Sequence, residues 1–463
     1  MQVDPSIFKA YDIRGIVDQT LTEDVVRAVG RVLGSLAVEA GVPAFCVGRD
    51  GRLSGERLMN ALVEGIASTG MKVLDVGAVP TPVLYYATKY FECGTGVAVT
   101  GSHNPPDWNG LKMMVAGITL FADAIQDIRR RVEAHEWIEA AEPGEVVKVD
   151  AVSPYLEKAL SGIKVERRLK VAADAGSGIA GPVMLELLKR LPVDVVPLFC
   201  EPDGRFPFHH PDPSKPKNLE DLIKTVAAEG CDYGFALDGD GDRLGVVTKS
   251  GEVVFPDRLM MLFAEDILTR HPGEPIVYDV KCSRRLVDWV KAKGGVPTIS
   301  PTGHSLVKAK LRETGAPFAG EMSGHLFFND ERWTGFDDGL YAAVRLLEIL
   351  SRSDAPSGVL EALPNAVNTP ELQIPMAEGE PKRFIERLRG EAAAFSDAED
   401  VITVDGLRVE WKDGFALARS SNTTPVVVLR FEGDTPEALA RVKARFTEVL
   451  HSIDPDLVIP EQG

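Results

Sequence analysis

The sequence predicts an α/β protein of three domains, each a mixed sheet covered by helices, followed by a smaller C-terminal α+β domain. Three observations carry this. At 463 residues the chain exceeds what one hydrophobic core normally organises, and length alone implies three or four domains. Through most of the chain, short apolar strands alternate with glycine-rich loops and amphipathic helices, as in mixed or parallel sheets under helices. From about Glu371 this gives way to strand, loop, strand and a long helix.

The strands are apolar and short: Phe45-Cys46-Val47, Val97-Ala98-Val99, Val171-Ala172-Ala173, Gly234-Phe235-Ala236-Leu237 and Pro275-Ile276-Val277-Tyr278. Thr22 can cap a helix whose inner face runs through Val25, Val26, Val29, Val32, Leu33 and Leu36 and stops at Gly41. Asn218 is expected to cap a second helix, and Ser283 a third that ends at Gly294. In the last domain, strands around Phe415–Phe431 precede a helix with Thr435 as cap, Pro436 first, and Leu439, Val442, Phe446 and Val449 inward. Composition shifts over Glu139–Pro154, Thr248–Pro256 and Ser351–Pro370 place the domains at residues 1–148, 149–252, 253–366 and 367–463.

Hydrophobic residues at 44% and charged residues at 26% are those of a globular protein, and no apolar run is long enough for a bilayer. The start, MQVDPSIFKAYDIRG, has no basic region followed by an apolar one, so it does not read as a signal peptide. The five cysteines form no C-x-x-C pair, which argues against a disulfide framework or thiolate zinc site and for a cytoplasmic setting. A net charge of −18 argues against nucleic acid or an anionic membrane as partner. An anionic metabolite needs a local cluster of Arg, Lys and metal.

Four loops, one per expected domain, carry chemistry. In Thr100-Gly101-Ser102-His103-Asn104-Pro105-Pro106, the strand Val97–Val99 delivers a hydroxyl at its carboxyl end, where α/β ligands bind. A free serine is a weak nucleophile; His103 beside it and Lys112 nearby are the groups on hand to assist. In isolation the segment reads better as a turn rich in Ser, Asn and Pro. In Asp238-Gly239-Asp240-Gly241-Asp242-Arg243, three alternate carboxylates can surround one hard cation. It is no EF-hand, because Arg243 stands at the required glycine and Lys249 at the bidentate glutamate. Three acids with metal positions left open suit Mg²⁺ with a phosphate oxygen. The third loop, Gly320-Glu321-Met322-Ser323-Gly324-His325, offers groups that hydrogen-bond sugar hydroxyls. The fourth, Arg419-Ser420-Ser421-Asn422-Thr423-Thr424-Pro425, suits a phosphate cradle or an ordinary hairpin turn.

Gly176-Ser177-Gly178-Ile179-Ala180-Gly181 matches the dinucleotide pattern G-x-G-x-x-G. Pro182 follows at once, and the acid expected about twenty residues on has only Asp194 and Glu201 as weak candidates. We read it as a strand-to-helix turn.

Taken in order, the four loops resemble the α-D-phosphohexomutase superfamily, and within it the bacterial phosphomannomutase/phosphoglucomutase group. The resemblance extends from Tyr11-Asp12-Ile13-Arg14-Gly15 through Tyr278-Asp279-Val280-Lys281 and Thr302-Gly303-His304-Ser305 to the final loop. It implies that Ser102 is the phosphoserine, and that Asp238, Asp240 and Asp242 hold Mg²⁺ together with Ser102. Arg14 and Arg243 would face the reaction centre with His103, and Lys112 and His325 would do acid/base work. Glu321 and Ser323 would hold sugar hydroxyls. Arg419, Ser421, Asn422 and Thr423 would hold the phosphate not being transferred, with Tyr11, Lys281 and His304 as further substrate contacts. Trp108 and Lys9 depart from the usual tyrosine and arginine without touching an assigned role. Met322 and Ser421-Asn422-Thr423 differ from the glutamine and S-G-T usual in glucosamine-specific relatives.

The implied reaction moves a phosphoryl group between C6 and C1 of mannose and glucose phosphates. It runs through phosphoserine 102 and a hexose 1,6-bisphosphate (glucose or mannose), which is also the activator. The resemblance thus implies four domains set around one central cleft, with the transfer and holding sites on opposite sides of it and the last domain mobile. The expected partner is a small phosphosugar, and the expected state a cytoplasmic monomer. The alternatives are a phosphoglucosamine mutase and a non-catalytic phosphosugar-binding protein; a pure binder needs neither the serine nor three aspartates.

Overall fold

A computed structural model describes residues 1–460. The architecture is α/β, with mixed sheets and a C-terminal domain, as the strand and helix alternation predicts. The chain divides into two compact units: Met1–Pro256 with Ser323–Ala362, and Asp257–Met322 with Leu363 onward.

The first unit contains two sheets. One runs in the order Ile13–Ile16, Trp108–Val115, Gly96–Val99, Phe45–Arg49, Val73–Ala78, Val146–Lys148, with Ile118–Thr119 paired to Trp108–Val115. Its middle strands are parallel, and Trp108–Val115 is antiparallel to both neighbours. The helices Glu23–Glu39 and Gly55–Ala67 pack against each other and close the core around Val29, Leu33, Phe45, Leu62 and Val97. They meet at backbone distance: a Cβ on Gly65 would lie 2.2 Å from the Arg27 carbonyl oxygen, so only glycine fits. The other sheet has the order Val253–Val254, Leu244–Thr248, Tyr233–Leu237, Leu169–Asp174, Val193–Leu198.

The second unit holds the parallel strands Val296–Ser300, Pro275–Asp279 and Phe318–Gly320. It also holds an antiparallel sheet ordered Val367–Asn368, Val426–Gly433, Gly414–Ser420, Leu407–Trp411, Asp400–Ile402. The helices Glu380–Gly390 and Pro436–Ile453 pack on this sheet through Phe384, Leu388, Val442 and Phe446.

Three caps form as expected. Thr22 accepts from the Val25 N–H at 3.3 Å, Ser283 from Arg285 at 3.1 Å and Thr435 from Ala438 at 3.2 Å. Asn218 does not cap. A 3₁₀ turn over Pro216–Leu219 precedes the helix Glu220–Glu229, and the Asn218 amide instead donates to the Asp212 carbonyl at 2.9 Å. The G-x-G-x-x-G segment is a strand-to-helix turn, between Leu169–Asp174 and the helix Gly181–Lys189.

Candidate active site

In the first unit, the strand Gly96–Val99 ends in the serine loop, and Ser102 takes a left-handed backbone with φ of 48°. That shape is fixed from behind by two residues. Asp50 Oδ2 accepts from Thr100 Oγ1 at 2.8 Å and from the Gly101 N–H at 3.1 Å. Arg52, whose side chain is fully buried, donates to four carbonyls of the loop and its exit: Ser102 at 2.8 Å, Asn104 at 2.6 Å, Pro105 at 2.5 Å and Trp108 at 3.0 Å. Its Nε reaches Asp50 at 3.2 Å.

Removing this guanidinium strands a buried carboxylate and several carbonyls. Arg52→Ala is therefore expected to cost roughly 3–5 kcal/mol of stability. Arg52→Lys should recover little of it, because a point charge cannot serve four acceptors. Thermal unfolding measures both, and an unchanged transition in Arg52→Ala would refute the clamp.

The strand Tyr233–Leu237 delivers the acidic loop. Asp238 Oδ1 organises it by accepting the N–H groups of Gly241, Asp242 and Arg243 at 3.0, 3.0 and 3.1 Å. The loop comes so close to the serine that a Cβ on Gly239 would lie 2.4 Å from the Ser102 carbonyl oxygen. Ser102 Oγ donates to Asp238 Oδ2 at 2.9 Å and lies 3.1 Å from His103 Nδ1. Thr81 Oγ1 donates to Asp240 Oδ2 at 2.6 Å. Lys112 Nζ bonds the same oxygen at 2.8 Å and also Asp242 Oδ2.

The acidic loop fits a cation. All three aspartates are fully buried, and one oxygen from each lies within 4.8 Å of the others. Asp240 Oδ1 and Asp242 Oδ1 are buried with no hydrogen bond. Lys112 and Arg243 against three carboxylates still leave the cluster short of positive charge. Burial, then Asp242 and Asp240, push Asp238 well above the usual carboxylate range. Asp240 goes the other way: burial would raise it, but Lys112 outweighs that and holds it low. Burial works against the charge on Lys112 too, yet Asp240 and Asp242 hold it above the ordinary lysine value. His103 is held well below the ordinary histidine value, by burial first and then by Arg243 and Arg14, and is neutral at pH 7.

The remaining expected groups of this unit converge here. Arg243 Nε lies 3.9 Å from Asp238 Oδ2 and donates to His325 Nε2 at 3.0 Å. Arg14 is buried and paired to Asp12 at 2.5 Å, and Tyr11 is near enough to act electrostatically on both Arg14 and Arg243. Ser323 sits half-buried in the turn before His325.

The second unit gathers the rest. Arg419 Nε bonds Asp405 Oδ2 at 2.8 Å, and that oxygen also accepts the Thr302 N–H at 3.0 Å. Asn422 Nδ2 donates to the Thr302 carbonyl at 3.0 Å. Ser421 Oγ accepts the N–H groups of Thr423 and Thr424, which folds the loop on itself. Glu321 Oε1 accepts the Gly303 N–H at 2.6 Å, one residue before His304 opens the helix His304–Thr314. Lys281 pairs with Glu371 at 2.5 Å.

Sequence reasoning assigned no role to Asp50, Arg52, Thr81 and Asp337 in the first unit, or to Asp279, Glu371 and Asp405 in the second. Asp50-Gly51-Arg52 directly follows the strand Phe45–Arg49, the same signal that marked the serine and acidic loops.

Comparison with known proteins gives one answer along the whole chain. Residues 5–139, 153–251 and 255–367 match the phosphoglucomutase/phosphomannomutase alpha/beta/alpha domains I, II and III, and residues 371–449 match its C-terminal domain. A Neisseria gonorrhoeae protein named phosphoglucomutase is 51% identical over 98% of both chains. A Pseudomonas aeruginosa phosphomannomutase/phosphoglucomutase is 50% identical over 98% of this chain and 97% of its own. A crystal structure of a phosphoglucomutase/phosphomannomutase family protein from Burkholderia thailandensis superposes with a TM-score of 0.93 at 50% identity, covering 99% of this chain and 100% of that one.

Proposed function

Because the chain belongs to the phosphoglucomutase/phosphomannomutase family, we propose that it is a hexose-phosphate mutase that transfers phosphoryl groups through Ser102. The observation that carries the residue assignment is the Ser102 hydroxyl, 2.9 Å from Asp238 at the edge of a buried triad of aspartates. The triad can hold one metal ion; we assign it Mg²⁺, with Ser102 as a further ligand. When bound, that ion supplies positive charge against the phosphoryl oxygens.

Each half-reaction exchanges one P–O bond for another. The bond from phosphorus to Ser102 Oγ breaks as a bond to the sugar hydroxyl forms, giving a hexose 1,6-bisphosphate. The hydroxyl gives up its proton and Ser102 Oγ gains one. The second half returns the other phosphoryl to Ser102. His103, neutral and 3.1 Å from Oγ, is placed to exchange the serine proton. Arg14, Arg243 and Lys112 set positive charge beside the serine, and we assign Lys112 this role besides the acid/base one. In the second unit Arg419, Ser421, Asn422 and Thr423 would hold the resting phosphate. Glu321 and Ser323 would hold sugar hydroxyls, and Tyr11, Lys281 and His304 would add contacts.

Four domains at residues 1–148, 149–252, 253–366 and 367–463, glucose or mannose 1,6-bisphosphate as activator, a monomer and a cytoplasmic setting complete the proposal. Among the described residues no helix is long and apolar enough to cross a membrane.

Glucose and mannose phosphates are both expected to be substrates, with glucosamine phosphate a poor one. The two hexoses differ only at C2, whereas we assign Glu321 and Ser323 to the C3 and C4 hydroxyls, which both sugars share, and the Arg419 loop to phosphate. A site that bonded the C2 hydroxyl would reject the epimer by roughly 10⁴-fold, while one that ignores it should discriminate by about 10-fold or less. The ammonium of the hexosamine would lose hydration without a dedicated acceptor. A coupled assay of kcat/KM on the three 1-phosphates, with catalytic bisphosphate, tests this. A glucose-to-mannose ratio beyond about 10³ would overturn it.

A further inference from the structure

Arg243 and His325 face each other across an antiparallel bridge, and Arg243 Nε donates to His325 Nε2 at 3.0 Å. A guanidinium N–H can only donate, so Nε2 must offer its lone pair and carries no proton. The ring proton of this imidazole therefore sits on Nδ1. What faces Nδ1 is carboxylate: Asp337 Oδ2 at 3.1 Å and Asp242 Oδ1 at 3.6 Å. Asp337 is fully buried and His325 nearly so.

We propose that Asp337 is a positioning residue, fixing His325 in its Nδ1–H tautomer so that Nε2 holds the guanidinium of Arg243 in place. Among the described residues, the two terminal nitrogens of Arg243 make no hydrogen bond, which leaves that edge of the fork open to a phosphate. The inference rests on the reading of Arg243 as a group at the reaction centre. It changes the role first expected of His325: with both nitrogens committed, the imidazole orients its neighbour and does not relay a substrate proton. It also explains the second cluster of possible metal ligands, Asp242, His325 and Asp337, whose atoms lie within 4.8 Å of one another. A proton on Nδ1 removes the lone pair a metal would need there, so what holds this trio is the attraction between that N–H and the two carboxylates facing it.

The test is the imidazole ¹⁵N spectrum of histidine-labelled protein, unphosphorylated and without substrate. His325 is assigned among the eight histidines by its loss in His325→Gln. Wild type is expected to show the Nδ1–H tautomer. Asp337→Ala should lose that signature and lower kcat by about 10–100-fold with KM little changed, the usual scale for removing a group that orients a functional histidine. Asp337→Asn, whose amide oxygen can still accept from Nδ1–H, should restore both, which separates the hydrogen bond from the charge. A wild-type proton on Nε2 overturns the proposal, as does an Asp337→Ala variant with full kcat. If the alanine variant does not fold, Asp337→Asn decides: loss of the Nδ1–H signature there overturns it equally. The spectrum is independent of turnover, so it stands or falls separately from phosphoryl transfer at Ser102.

Discussion

Ser102→Ala is expected to abolish mutase turnover, by on the order of 10⁴-fold or more, the scale on which loss of a covalent nucleophile is felt. The hydroxyl can accept a phosphoryl and release it again, and it sits at the edge of the aspartate cluster. It lies against Asp238 and His103, in a loop whose shape is fixed by Asp50 and Arg52. Those supports bond to backbone and to Thr100, so the alanine variant should keep its fold and its melting temperature. Peptide mass spectrometry after incubation with glucose 1,6-bisphosphate should find one phosphate on Ser102 in wild type and none in the variant. A phosphate on another residue, or undiminished activity in the variant, would end the covalent reading.

Asp240→Asn carries the second largest expected effect, a loss of turnover on the order of 10²–10³-fold, equivalent to several kcal/mol of transition-state charge stabilisation. Asp240 contributes a buried oxygen with no hydrogen bond, while its other oxygen is already engaged by Thr81 and Lys112. Asparagine keeps the shape and gives up a negative charge in a crowded cluster, so the fold should survive. Mg²⁺ bound by the folded protein alone should raise the wild-type melting temperature, and this shift should largely vanish in the variant. Full wild-type activity in excess chelator, or an unaltered Mg²⁺ shift in Asp240→Asn, would contradict the assignment.

What the sequence made legible was what depends on neighbours in the chain. The strands that feed the serine, acidic and phosphate loops, the caps at Thr22, Ser283 and Thr435, and the alternating carboxylates of 238–242 are all local patterns, and each appears in the structure. Asn218 had the right residue type for a cap, but the proline that follows Lys215 starts a tighter turn, and the amide finds a carbonyl six residues back. The support of the site was illegible for the opposite reason. Arg52 acts on carbonyls some fifty residues away, and Thr81 meets Asp240 across 159 positions. Such pairings leave no periodicity. The role of Asp337 was hidden in the same way, since it depends on which nitrogen of His325 Arg243 occupies.

The left-handed backbone at Ser102 bears on how this protein tolerates change. A residue with a Cβ in that region gives up roughly 1–2 kcal/mol that glycine would not. The chain therefore holds a strained residue at the position where relief is unavailable, because in the proposed reaction the side chain is itself the reagent. Stability and activity pull in opposite directions at one codon. Any search for more stable sequences that scores only the fold will favour glycine at position 102, and will return a sturdier protein without its chemistry.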